Sequence, residues 1–119
     1  MLQIVEGRKP VIAKVHGAAF AAGCQLVASC DLAYSTKDAI FATPGVNIGL
    51  FCSTPMVAVS RKISKKHMMK MLLTGEPIKA NYAKEIGLIN DCFSKSRINS
   101  EVLKIAKKIA SKSNLTIKI

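Results

Sequence analysis

The chain has 119 residues, half of them hydrophobic, and a net charge of +11. That length allows one domain with a small core and excludes several. No run of 18 or more apolar residues is uninterrupted by charge, so no membrane-spanning helix is expected. Cys24, Cys30, Cys52 and Cys92 show neither metal-ligand spacing nor a C-x-x-C pair, and they read as reduced thiols buried in apolar surroundings.

The charge is unevenly placed. Residues 1–60 carry Arg8, Lys9, Lys14 and Lys37 against Glu6, Asp31 and Asp38, about +1, and the remainder carries about +10. Such an excess attracts phosphates, including those of nucleic acid. Because the cations fall on helix faces without interleaved aromatic residues, a solvated surface is the expected reading and nucleic acid is not the expected partner.

In chain order, residues 1–9 end a helix or loop, and Lys9-Pro10 punctuates the start of a strand over Val11–Val15. His16, with no carboxylate or second histidine nearby, reads as a structural hydrogen-bonding residue. The stretch from Gly17 to Ala21 reads as a tight turn of small residues, and an apolar helix runs from about Ala22 to Ser29. Small side chains at Ala18, Ala19, Ala21, Ala22 and Gly23 let another group approach the backbone closely. A helix beginning at Ala22 also aims unpaired N–H groups at whatever lies there. Such donors stabilise an oxyanion in a dry site by roughly 3 kcal/mol each. From spacing alone, a buried helix with small residues for close packing is the plainer account.

Beyond it, Leu32-Ala33-Tyr34 and Ala39–Ala42 read as short strands separated by a turn at Thr36–Asp38. Ser53 or Thr54 is expected to cap a helix with Pro55 in its first turn. Ser64 is expected to cap another, whose Met68, Met69 and Met71 fill core and which Gly75 stops. A short helix from about Lys79 to Ile86 closes at Gly87, an extended segment covers Leu88–Phe93, and an amphipathic helix runs from about Asn99 to Ser111. Leu115–Ile119 follow as a tail.

Lys9-Pro10-Val11-Ile12-Ala13-Lys14-Val15-His16-Gly17, Ala21-Ala22-Gly23-Cys24-Gln25-Leu26 and Cys30-Asp31-Leu32 together resemble the central signature of the enoyl-CoA hydratase/isomerase (crotonase) family. Phe41-Ala42-Thr43-Pro44-Gly45, Gly49-Leu50, Leu73–Ile78, Ala83 and Gly87-Leu88-Ile89 continue it in order. The resemblance covers Lys9 to about Ser113. It is strongest to one mitochondrial subgroup, through the wording of residues 22–31 and 42–47, and so implies a mitochondrial location.

This resemblance implies an α/β fold of the crotonase-like (ClpP/crotonase) type, a spiral of β-β-α units. The chain would be its middle and later part, with a helix-rich C-terminal half; family members are longer at both ends. It also implies an acyl-CoA thioester as substrate and partner, coenzyme A as part of that substrate with no separate cofactor or metal, a place in fatty acid metabolism, and assembly as a homo-oligomer, a trimer or hexamer.

By position, the backbone N–H of Ala22 matches the family's oxyanion donor. Ala21, Gly23, Pro44 and Leu50 match substrate-binding positions. Gln25 and Gly45 stand where hydratases carry their two glutamates. An amide cannot take up and return a proton near neutral pH, and a glycine has no side chain to do so. Standard hydration is therefore expected to be impaired, while the oxyanion donor, a main-chain group, survives. Cys52, Ser53 or Thr54 could act as a nucleophile only beside a base, and no neighbouring residue supplies one.

Overall fold

Among the described residues, six strands divide between two three-stranded sheets. The computed structural model describes residues 2–7 and 9–112. After a short helix α1 (Leu2–Glu6), the elements are β1 (Ile12–Val15), β2 (Ala18–Phe20), α2 (Ala22–Ser29), β3 (Leu32–Thr36) and β4 (Ile40–Ala42). A 3-10 helix (Pro44–Ile48) leads to α3 (Ser53–Ser60), α4 (Lys65–Thr74), β5 (Ile78–Lys79), α5 (Ala80–Glu85), β6 (Asp91–Phe93) and α6 (Ile98–Ala110). One sheet has the order β1-β3-β6, all parallel, and the other β2-β4-β5, with β2 and β4 parallel. The first two turns of chain each lay one strand in each sheet before helices return it, the expected spiral of β-β-α units, and in the third α5 stands between β5 and β6. Helices dominate after β4, as expected.

Gly17, at φ 74°, turns the chain from the first sheet into the second, and its carbonyl accepts the N–H of Ile40 at 2.9 Å. The stretch read as a turn is therefore partly a strand: Ala18–Phe20 pair with Ile40–Ala42. Asp31 has a structural role, accepting the Val11 N–H at 2.8 Å while its own N–H reaches the Val11 carbonyl at 3.0 Å. These bonds lock the start of β1 to the start of β3.

The core joins the inner face of α2 (Cys24, Val27, Ala28) to Phe41, Val59, Met68, Met71 and Leu72, so the methionines do fill core. Helix α2 is half-embedded and not wholly buried, because Ala22 and Leu26 face outward. One capping expectation is corrected and one is met in position: Ser53 and Thr54 lie inside α3, whose cap position is Cys52, whereas Ser64 occupies the cap position of α4, without a side-chain capping bond. Gly75, at φ 66°, ends α4 as read. Cys24, Cys30 and Cys92 are buried free thiols, whereas Cys52 is half-exposed, contrary to the expectation for it. Leu115–Ile119 lie outside the described residues. Among the described residues no helix is long and apolar enough to cross a membrane.

Candidate functional site

The start of α2 is held by an unusual residue. Ala21 has φ 51° and ψ −113°, a left-handed backbone that L side chains rarely adopt and that costs on the order of 1–3 kcal/mol. In return, its N–H donates to the Ala42 carbonyl at 2.9 Å and its own carbonyl accepts the N–H of Gln25 at 3.0 Å. The first helical bond is made and the helix end is tied to the end of β4. The N–H groups of Ala22 and Gly23, in the first turn, have no backbone acceptor among the described residues, and Ala22 is exposed. Their dipoles favour an oxygen gaining negative charge.

Gly23 is not small to accommodate protein packing. A β-carbon there would meet only the Ala19 β-carbon, at 4.0 Å. Gly23→Ala is therefore expected to raise stability by about 0.4–1 kcal/mol, read from the urea midpoint. A loss of stability would show that the space is not open.

The tie from Ala21 to Ala42 brings the second segment to the same place. Thr43 follows β4 and is buried, its Oγ1 the buried side-chain oxygen or nitrogen left without a hydrogen-bond partner among the described residues. Pro44 opens the 3-10 helix, where a missing N–H costs nothing. At Gly45 the N–H donates to Cys52 Sγ at 3.3 Å, and the carbonyl accepts the Leu50 N–H at 2.9 Å. A β-carbon on Gly45 would lie 2.8 Å from both Cys52 Sγ and the Leu50 carbonyl oxygen. The position is thus enclosed by its own loop and is not an empty slot awaiting a carboxylate.

Gln25 is half-buried one turn into α2, and its side-chain amide makes no hydrogen bond among the described residues. Ser29 Oγ, one turn on, donates to the Gln25 carbonyl at 2.8 Å. Cys24, on the inner face, is close enough to Cys52 for the two thiols to feel each other. Burial first, and Cys52 second, push the Cys24 thiol up to about 12, which makes it a neutral packing group. Leu50 is exposed, and Ile48, Phe51 and Leu26 add exposed apolar surface. Cys52 lies on the site, but among the described residues no base stands at hydrogen-bond distance from its sulfur, and its polar contact there is the Gly45 N–H. Among the described residues no group of three or more His, Cys, Asp and Glu gathers to hold a metal.

Two features of this geometry were missed from sequence: the strained Ala21 and the contact of Cys52 with Gly45. Neither leaves a compositional signal, since one is a dihedral angle of an ordinary alanine and the other a loop closure.

The family description enoyl-CoA hydratase/isomerase matches residues 1–119. The chain belongs to the enoyl-CoA hydratase/isomerase family. Over its whole length it is 49% identical to the mitochondrial enoyl-CoA hydratase domain-containing protein 3 of Danio rerio, covering 41% of that protein. The same identity and coverage hold against the Homo sapiens protein of that name, of which it spans 39%. Among solved structures, an enoyl-CoA hydratase from Mycobacterium smegmatis matches at TM-score 0.96 and 48% identity, over 98% of this chain and 46% of that one. Human enoyl-CoA hydratase domain-containing protein 3 matches at TM-score 0.95 and 49% identity, with the same coverage. The fold is the crotonase fold of the enoyl-CoA hydratase/isomerase family, and the chain spans about two fifths of the length of these curated relatives.

Proposed function

We propose that this chain binds acyl-CoA thioesters, places the thioester oxygen on the backbone N–H of Ala22, and does not hydrate enoyl thioesters by the two-carboxylate route. The observation that carries the reading is the exposed start of α2, fixed by Ala21 and its bond to Ala42 with free N–H groups beyond it. Ala21 and Gly23 stand at the start of α2, Pro44 lies two residues beyond the Ala42 that holds it, and Leu50, Ile48, Phe51 and Leu26 are exposed apolar side chains available to an acyl chain.

A thioester oxygen seated there gains negative charge whenever an enolate or tetrahedral species forms, and a preorganised N–H lowers the cost of that charge by roughly 3 kcal/mol. Hydration further needs a base for water and an acid for carbon, each worth about 10²- to 10⁴-fold. Gln25 can orient a water or a carbonyl but cannot carry its proton, and Gly45 offers no group at all. Coenzyme A enters as part of the substrate, and no further cofactor or metal belongs to the reading. A role in fatty acid metabolism, a mitochondrial location and assembly as a trimer or hexamer accompany the proposal; the names of the mitochondrial relatives support the location.

A second reading, a non-catalytic acyl-CoA-binding or assembly subunit, is favoured by one observation: Cys52 and the Leu50 carbonyl enclose Gly45. Two measurements test these readings. The purified chain is titrated with crotonyl-CoA, and the same samples are weighed by mass spectrometry. Saturable binding without addition of water is expected. A product heavier by one water would overturn the reading of Gln25 and Gly45, and absence of binding would overturn the thioester proposal. Exchange of the α-protons of butyryl-CoA for deuterium would favour enolate chemistry over the non-catalytic reading.

A further inference from the structure

We infer that the cleft between α4 and the β5–α5 segment is a second binding site, built for a small organic anion with one oxyanion head on a short apolar body. It does not rest on the thioester proposal, because it shares no residue with the α2 site. The cleft encloses about 260 Å³ and is lined by His67, Lys70, Lys79 and Tyr82 over a floor that includes Met71 and Ile78. That is below the usual range of about 300–1,000 Å³ for drug-sized ligands, so the occupant is small.

Among the described residues, the cleft keeps donors free. His67 Nδ1 and the Tyr82 hydroxyl are 2.8 Å apart, with the rings edge to face at 5.7 Å. Whichever atom donates, one donor of the pair remains: the ring Nε2–H if the phenol donates, or the phenol proton if Nδ1–H donates. Lys70 and Lys79 are exposed, and among the described residues neither forms an ion pair, although Glu76 lines the same cleft. Two ammonium groups against one carboxylate leave one net positive charge, which suits a single anionic head. Thr74 is already committed, its hydroxyl donating to the Lys70 carbonyl at 2.6 Å and accepting the Glu76 N–H at 3.2 Å. Met71 is buried and Ile78 half-buried, so the floor can take only an apolar group.

The test titrates the purified chain with hexanoate, hexyl phosphate, 1-hexanol and inorganic phosphate while the His67 and Tyr82 ring resonances are followed by NMR. At least one of the two hexyl anions is expected to shift both rings saturably, and which one does so tells carboxylate from phosphate. The uncharged alcohol and inorganic phosphate are each expected to bind about tenfold more weakly or not at all. Lys70→Gln with Lys79→Gln, exposed changes that leave the core untouched, should weaken the anion about tenfold, and Tyr82→Phe should weaken it with the ring retained. The proposal is overturned if neither anion shifts the rings. It also falls if hexanol or inorganic phosphate binds as tightly as the better anion, or if the double lysine variant binds unchanged.

Discussion

Gly45→Glu is expected to destabilise the chain and to yield no hydration of crotonyl-CoA, alone or combined with Gln25→Glu. Position by position, the pair restores the two carboxylates that hydratases carry, and on sequence alone it would be expected to restore turnover in an otherwise intact site. The geometry argues otherwise. The first atom of any side chain at Gly45 would lie 2.8 Å from Cys52 Sγ and from the Leu50 carbonyl oxygen. The sulfur can swing away, but the carbonyl is main chain, held by the loop that bonds Leu50 N–H back to the Gly45 carbonyl at 2.9 Å. Overpacking of this kind costs about 1–3 kcal/mol, roughly 4–12 °C in melting temperature for a chain of this size. Because the obstruction begins at the β-carbon, Gly45→Ala should show most of the same loss. Adding Cys52→Ala should recover only the part due to sulfur. Melting curves of the four variants, with a crotonyl-CoA hydration assay, decide it. A Gly45→Glu chain as stable as the parent, or one that hydrates crotonyl-CoA, would show that the loop yields and that the glycine alone accounts for the missing acid.

The contrast between Gly45 and Gln25 shows where sequence reasoning reached and where it stopped. Helix α2 was legible to the residue because an apolar run follows small residues and the polar Ser29 and Asp31 mark its end. Gly75 and Gly87 were legible as stops because each stands just past a helical segment, and both adopt positive φ. Strand β2 was not, since Ala18-Ala19-Phe20 has no β-branched residue and is extended only because Ile40–Ala42 lie alongside. The two residues of β5 depend in the same way on pairing with β4. For the candidate site, residue types told which chemistry was missing but not what filled its place. The closure of Cys52 on Gly45 spans seven residues of irregular chain, and no periodicity describes it. The His67–Tyr82 pair is likewise assembled from two helices, fifteen residues apart.

Phe41→Ala is expected to cost about 3–5 kcal/mol, a large share of the stability of a domain this small. Phe41 is the largest fully buried side chain and sits in the middle of the central strand β4, opposite Ala19 on β2 and Ile78 on β5. The core it belongs to contains Ala19, Ala28, Ala39, Ala80 and Ala83, which have no rotamers with which to reach into a vacated volume, so the cavity stays open. The loss should extend to the α2 site. The Ala42 carbonyl that holds Ala21 in its strained backbone is the next residue along β4, and Thr43 to Gly45 follow directly. A β4 that frays releases Ala21 to relax, and the N–H of Ala22 loses its fixed aim. Urea denaturation should therefore show the full cost for Phe41→Ala and a change within about 0.5 kcal/mol for Leu73→Ala on the exposed side of α4. Any residual crotonyl-CoA affinity of Phe41→Ala should fall further than its folded fraction does. A loss below about 1.5 kcal/mol would mean that the two sheets close over the gap, and that β4 does not tie the core to the site.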